Sequence, residues 1–301
     1  MLKFKLLGTA AGGGIPQWNC ACALCHLSRT HPKISPPRLQ LQAAISSNAT
    51  SWFLLNASPD LRVQIEANPE LQPKPQFGQR NTPISGIVLT SADLDQVLGI
   101  LLLREFQPLT IYTTRLIRKI LEANTFFRML ERVPSQLTWV EILPNQPFQL
   151  GEEITCTAIP LAASLPHYAK DTDTDGLTYA TLGLILESQN GRIAYTPSLP
   201  EITPELLAIY ETCDTIFVDG TFWSDTELNR AQSGTPSART IGHIPMSGND
   251  GTIALLSGIS RPKKIFIHIN NTNPVLDPRT TEYHQVIDAG WQIGHDGWQL
   301  D

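Results

Sequence analysis

Apolar positions along the chain fall into short runs more often than into long stripes. KFKLLGTA, LQAAIS, SWFLLNA, ISGIVLT, LTIYTT, TWVEIL, ITCTAIP, TLGLILES, GRIAYT, TIFVDG and KIFIHI are rich in β-branched or aromatic residues and bounded by Gly, Pro, Asn or Asp; each predicts a strand. Between them SPDLRVQIEANPEL, DLDQVLGILLLREF, TRLIRKILEANTFFRML, TPELLAIYETC, DGTIALLSGI and TTEYHQVIDAG carry helical spacing. Strand-rich stretches with inserted helices predict a layered α/β architecture. QPKPQFGQRNTP predicts a loop, and LAASLPHYAKDTDTDGLTYA a longer one of the kind that forms a lid or binding edge. No Gly/Ser linker, short repeat or low-complexity tract interrupts the pattern, so residues 1–301 are expected to form one domain.

Composition removes several function classes. With 42% hydrophobic and 17% charged residues the chain has the means to bury a sizeable core. A net charge of −6 offers no basic footprint for nucleic acid or for an anionic membrane surface. No apolar run reaches the ~18 residues of a membrane span. MLKFKLLGTAAGGGIP is too short in its apolar part for a signal peptide, and predicts a first strand ending in a Gly turn. That turn lacks both Gly-x-Gly-x-x-Gly and the Lys of a phosphate loop, so a close backbone approach explains it better than a nucleotide site.

The cysteines change the picture most. WNCACALC places Cys20, Cys22 and Cys25 at C-x-C-x-x-C spacing, in a chain with five cysteines in all. An odd count with three clustered argues against a secreted disulfide framework and for the reducing cytoplasm. Thiolates so spaced converge on one ion, and a structural Zn(2+) knuckle is expected over residues 18–26. Three ordinary buried thiols are the alternative. His26, His31 and His268 are the candidates for a fourth ligand, and spacing does not choose among them. Trp18 is expected to pack against the knuckle. Cys156 and Cys213 sit in strand-like runs and read as core.

GIVLTSADLDQVLGILLLRE reads as a strand, a polar corner and a helix. Such corners lie where α/β proteins place ligands, and this one presents Ser91, Asp93, Asp95 and Gln96. The pattern L-T-x-x-x-x-D-x-x-x-G-[LI] resembles the metallo-β-lactamase superfamily. GTAAGGGIPQWNCACALC, LLNASPDLR, LLLRE, VDGTFW, GHIPMSG, IHINNTNP and DGWQL, which span residues 8 to 300 in order, resemble its pyrroloquinoline quinone (PQQ) biosynthesis protein B family. The resemblance implies a four-layer αββα sandwich. It also exposes departures. The superfamily's His-x-His-x-Asp-His motif is occupied by Ser91, Asp93, Asp95 and Gln96, so only the Asp remains. Asn56 stands where many members have Asp, and Pro197 where hydrolases have a metal-bridging Asp. Hydroxyls and amides in place of imidazoles bind transition metals weakly, so the two-zinc hydrolase site is not expected.

Other ligand candidates survive. Asp93 and Asp95 leave the strand two residues apart and can address one ion; Asp219 and His268 follow apolar strands, and His243 lies in GHIPMSG. Two histidines and one carboxylate suit Fe(2+), and His243 and His268 with Asp95 or Asp219 make up that count. The plainer reading has Asp93 or Asp95 capping the following helix, and His243 bonding a backbone carbonyl. Gln96, Arg104 and Asn270 are candidates for substrate binding, although Arg104 also has Glu105 beside it for an ion pair. Trp223, Arg239 and Thr240 flank His243 and suit carboxylate recognition. The asparagines of NNTNP are expected chiefly to satisfy turn backbone groups, with Asn270 or Asn271 reaching a ligand as the lesser alternative.

The resemblance implies a role in making PQQ: hydroxylation of the tyrosine ring of a cross-linked Glu-Tyr diamino acid derived from a peptide, using iron and dioxygen. Asp95, Asp219, His243 and His268 would be the catalytic set, and the diamino acid the small-molecule partner. A homodimer, and no nucleic acid or membrane span, complete the expectation. The alternative is a non-catalytic carrier that helps to export PQQ or its precursor, which the loss of a histidine at Gln96 favours.

Overall fold

All eleven predicted strands form, joined by three short ones, Pro147–Leu150, Trp291–Ile293 and Gln299–Leu300. The computed structural model describes residues 2–162, 164–231 and 233–300. They divide into two units, one made of Gly8–Leu41 with Gly191–Asp296, the other of the remaining described residues.

In the latter unit the strands follow the order Gln299–Leu300, Lys3–Gly8, Gln42–Ser46, Trp52–Leu55, Ile84–Val88, Leu109–Thr113, Leu137–Glu141. Pairing is antiparallel between Ala44 and Leu54, then parallel through Leu54, Ile87, Ile111 and Trp139. Gln42–Ser46 and Trp52–Leu55 are buried at every position, which is why their apolar stretches, AAI and WFLL, show no alternation. Pro147–Leu150, Ile154–Ala162 and Thr181–Ser188 pair antiparallel, and Cys156, opposite Phe148 and Leu186, is core as expected.

The other unit is built on parallel strands in the order Gly191–Thr196, Thr215–Asp219, Lys263–Ile267, Trp291–Ile293. Tyr195, Phe217 and Phe266 fill its core. The helix Pro204–Thr212 links the first two strands; Thr203 caps it by accepting the Leu206 N–H, and Pro204 opens it where no N–H is needed. The register sets Asp219 opposite Ile267, so Asp219 and the next residue, His268, leave neighbouring strands at the same edge.

The helices are shorter than the apolar spacing suggests. DLDQVLGILLLREF gives one α-turn, Leu94–Val97, and then the 3-10 segment Leu98–Leu103. Gly99 sits so close to Ala57 and Ser58 that an added Cβ would lie 2.1 Å from the Ser58 carbonyl oxygen. TRLIRKILEANTFFRML likewise splits into Arg115–Glu122 and the 3-10 turn Phe127–Glu131. Pro69 ends the helix of SPDLRVQIEANPEL early, after Glu66. In the long predicted loop, Ala163 lies outside the described residues, and a 3-10 turn spans His167–Ala169. Among the described residues no helix is long and apolar enough to cross a membrane.

Candidate metal centres

The three clustered cysteines are drawn together by a helix that the apolar pattern did not predict, Ala23–Thr30. Cys22 caps it, its sulfur accepting the Cys25 N–H at 3.5 Å, while the Cys20 sulfur accepts the Cys22 N–H at 3.4 Å and the Cys25 sulfur that of Gln17 at 3.4 Å. Arg29, one turn on, ties down the carbonyls of Cys20 and Gln17. All three sulfurs lie within 4.8 Å of one another. Their acidities are pulled apart. Burial pushes the Cys22 thiol up to about 11, with the neighbouring thiols adding to it. At Cys20 burial also raises the pKa, but hydrogen bonds from the Cys22 N–H, the two thiols and Asn271 outweigh it and the net shift is downward. Three crowded sulfurs cannot all ionise without a cation among them, and a thiophilic dication would supply that charge. Trp18, expected to pack on the knuckle, stands out instead with 86% of its surface exposed.

The second cluster gathers Asp219, His243 and His268, whose ligand atoms also lie within 4.8 Å of one another. Asp219 is wholly buried and His268 is 5% exposed. His243 Nδ1 donates to Asp219 Oδ2 at 2.6 Å, and the Leu199 N–H donates to the same oxygen at 2.9 Å. Thr221 donates its hydroxyl proton to Asp219 Oδ1 at 2.5 Å; having one proton to give, it accepts from His268 Nδ1 at 2.8 Å. Both rings are thereby set with Nδ1 protonated, which makes Nε2 the basic nitrogen of each. They stack at 5.4 Å and 25°. Burial alone would raise the Asp219 pKa, but the charge and hydrogen bond of His243, then His268 and Thr221, hold it below the usual carboxylate range. His268 reaches the cluster from a left-handed backbone conformation, φ +57, directly after its strand. Few residues other than Gly take that conformation, and it turns the ring towards Thr221 and away from the next sheet position.

The 91–96 corner, in the other unit, is closed by hydrogen bonds among its own side chains. Gln96 Oε1 accepts from Thr90 Oγ1 at 2.8 Å and Ser91 Oγ at 3.1 Å; Asn56 Oδ1 accepts the Thr90 N–H at 2.8 Å. Ser91 Oγ also lies 2.7 Å from Asp93 Oδ2. Asp93 stands at the N-cap position of Leu94–Val97, but its side chain makes no capping bond; Asp95 lies in the first turn. Arg104 bonds the Leu101 carbonyl at 3.4 Å and is 3.7 Å from Glu105 on an exposed face. Asn270, in the unit that includes Gly191–Asp296, donates to Thr272 Oγ1 at 2.6 Å. Arg239 pairs with Asp250 at 2.8 Å. A cavity of about 430 Å³, lined by Arg80, Ile84, Leu102, Glu105 and Leu109 among others, includes none of the predicted site residues.

Sequence reasoning missed two participants, Thr221 and Glu227, and gave Asn271 only as the lesser alternative. Thr221 joins the carboxylate to His268, Asn271 points its amide at the cysteine sulfurs, and Glu227 accepts from the Trp223 N–H and from Thr272, each at 2.6 Å. The signals were present in VDGTFW and NNTNP, but a Thr after a Gly and a run of Asn read equally well as turn chemistry.

The α/β fold agrees with what known proteins show. The model of the beta-lactamase superfamily domain matches residues 51–269. Coenzyme PQQ synthesis protein B of Methylobacterium radiotolerans is 38% identical over 99% of this chain and 99% of its own, and that of Gluconacetobacter diazotrophicus 35% identical over 100% and 99%. The crystal structure of Zn(2+)-bound PqqB from Methylobacterium extorquens superposes with a TM-score of 0.93 at 37% identity, covering 99% of both chains. A diphosphatase of the PhnP family shares the fold at a TM-score of 0.70 and 17% identity, over 100% of this chain and 98% of that one. The chain belongs to the coenzyme PQQ synthesis protein B family, on the metallo-β-lactamase fold.

Proposed function

We propose that this protein acts in PQQ biosynthesis as an iron- and dioxygen-dependent hydroxylase of the tyrosine ring in a peptide-derived Glu-Tyr intermediate. The observation that carries the reading is the convergence of Asp219, His243 and His268, a two-histidine, one-carboxylate donor set. Its Nδ1 protons are committed to Asp219 and Thr221, so both Nε2 atoms can bind a cation. Fe(2+) held there would supply the activation of dioxygen. The protein's own part is to keep the two rings oriented and to hold the Nδ1 protons where they are. Asp219 also fixes His243 by accepting its Nδ1 proton, which keeps Nε2 basic.

The thiolate cluster is a separate, structural centre for Zn(2+): three sulfurs within 4.8 Å suit a thiophilic ion, and the solved relative is described as zinc-bound. The carrier reading is disfavoured, because Asp219, His243 and His268 form a donor set that a passive binder does not require. The test is anaerobic Fe(2+) titration followed by air, a two-electron reductant such as ascorbate to carry the second oxygen atom to water, and the synthetic cross-linked diamino acid. A product heavier by one oxygen on the tyrosine ring, lost in His268→Ala, is the expected result. Binding of the diamino acid with no iron uptake and no product would overturn it.

A further inference from the structure

We infer that the cavity between the 73–84 loop and the end of the Leu98–Leu103 segment binds a free amino acid with an apolar side chain. Its volume of about 430 Å³ falls inside the range of roughly 300–1,000 Å³ for small-molecule pockets. It lies where the parallel strands Ile84–Val88 and Leu109–Thr113 begin, whereas the 91–96 corner follows the end of the first of them. Ile84 and Leu109, both buried, line it together with Leu102 and Leu103.

The two charged residues of the lining have opposite signs and come from different walls. Arg80 belongs to the loop, and Glu105 to the turn after the 3-10 segment. Among the described residues the Arg80 guanidinium has no hydrogen-bond or ion-pair partner. Glu105 has Arg104 at 3.7 Å on an exposed face, a pair too loose to commit its carboxylate. A carboxylate alone would be repelled by Glu105, and an ammonium alone by Arg80. A zwitterion satisfies both. Its carboxylate accepts from the guanidinium, its ammonium donates to Glu105, and its apolar side chain goes to the leucines.

Both walls are preformed. Asn81 closes the loop: its Oδ1 accepts the Lys74 N–H at 2.9 Å, and its Nδ2 donates to the carbonyls of Lys74 at 3.0 Å and Gly78 at 2.8 Å. On the other side Gly99 packs against the Ser58 carbonyl, and the Leu109 N–H donates to the Gln136 carbonyl at 2.7 Å. Phe106, between the lining residues Glu105 and Gln107, takes φ +65, a left-handed conformation that bulky side chains rarely adopt. The Arg132 guanidinium stacks 4.8 Å from its ring. Strain of this kind collects at ligand clamps, and here it brings both neighbours to the cavity while Phe106 stays out of the lining. A cavity held open in this way loses no affinity to the ordering of its own walls.

The experiment is calorimetric titration of the purified full chain with L-leucine, L-phenylalanine and L-methionine, each beside its carboxamide and its N-acetyl form, which lack one charge. At least one free amino acid is expected to bind with a Kd on the order of 0.1 mM, and both its modified forms about tenfold more weakly or worse. Arg80→Gln should weaken the free amino acid about tenfold and leave the carboxamide unchanged; Glu105→Gln should weaken it likewise and leave the N-acetyl form unchanged. Both side chains are exposed, so the variants are expected to fold, and the modified ligands test the wild type without them. No binding of any of the three at about 10 mM would overturn the proposal. So would equal affinity for the free and modified forms, unchanged affinity in either variant, or a variant that weakens the modified form as much as the free one.

Discussion

The Thr221 hydroxyl stands between Asp219, 2.5 Å away, and His268 Nδ1, 2.8 Å away, and fixes the tautomer of the second through the charge of the first. Thr221→Val keeps the shape and removes both bonds. Asp219 then loses a donor in a fully buried position, which costs about 1–3 kcal/mol. The His268 ring also loses its orienting partner, and such losses weaken metal about 10–100-fold. Urea unfolding and anaerobic Fe(2+) titration of the variant should show both, and an unchanged iron affinity would exclude this role for Thr221.

That relationship also marks where sequence reading stopped. Asp219, His243 and His268 were each legible as a polar residue after an apolar strand or in a Gly-flanked loop. Which carboxylate joins the histidines was not, because it depends on parallel register: only the pairing of Asp219 with Ile267 sets residue 268 beside it. The strands were legible because buried parallel and central strands are unbroken apolar runs. Trp291–Ile293 and Gln299–Leu300 escaped because two or three residues carry no period. Helix lengths were overestimated where tertiary contact intervenes, as at Gly99, and Ala23–Thr30 was missed because ALCHLSRT shows a weak apolar face and a thiol as its cap.

Gly99→Ala tests that contact directly. An added Cβ would lie 2.1 Å from the Ser58 carbonyl oxygen and 2.8 Å from the Ala57 carbonyl, all backbone that cannot rotate aside. Although Ala is the better helix former, the substitution is expected to destabilise by about 3 kcal/mol or more. Thermal unfolding of the variant measures it. A melting temperature equal to wild type would show that the 3-10 segment Leu98–Leu103 has another cause.

Glu227 should make stability fall as pH rises. Burial pushes its pKa up from 4.5 to about 7, against the hydrogen bonds from Thr272 and the Trp223 N–H. Between those values the folded chain binds a proton that the unfolded chain has released. The resulting stabilisation is complete below about 4.5 and is lost as pH rises through 7. It amounts to about 3 kcal/mol at most. Urea midpoints between pH 5 and 8 should fall in the wild type and flatten in Glu227→Gln; identical profiles would remove Glu227 as the source.

Zinc removal should weaken iron binding. The same six residues, His268 to Asn273, hold one ligand of the Asp-His-His cluster and place Asn271 against the thiolates. After His268 the segment is held by the Ile269 and Asn270 backbone bonds and by the Asn271 amide against the thiolates, so loss of an ion from those sulfurs would loosen one of its contacts. A zinc-stripped but folded protein, checked by circular dichroism, is expected to bind Fe(2+) about tenfold more weakly, within the usual range of coupling between two sites. Coupling is reciprocal, so iron-loaded protein should hold its zinc more tightly in chelator competition at equilibrium, by the same factor. Iron affinity that is equal with and without zinc would mean that the backbone bonds hold the segment unaided.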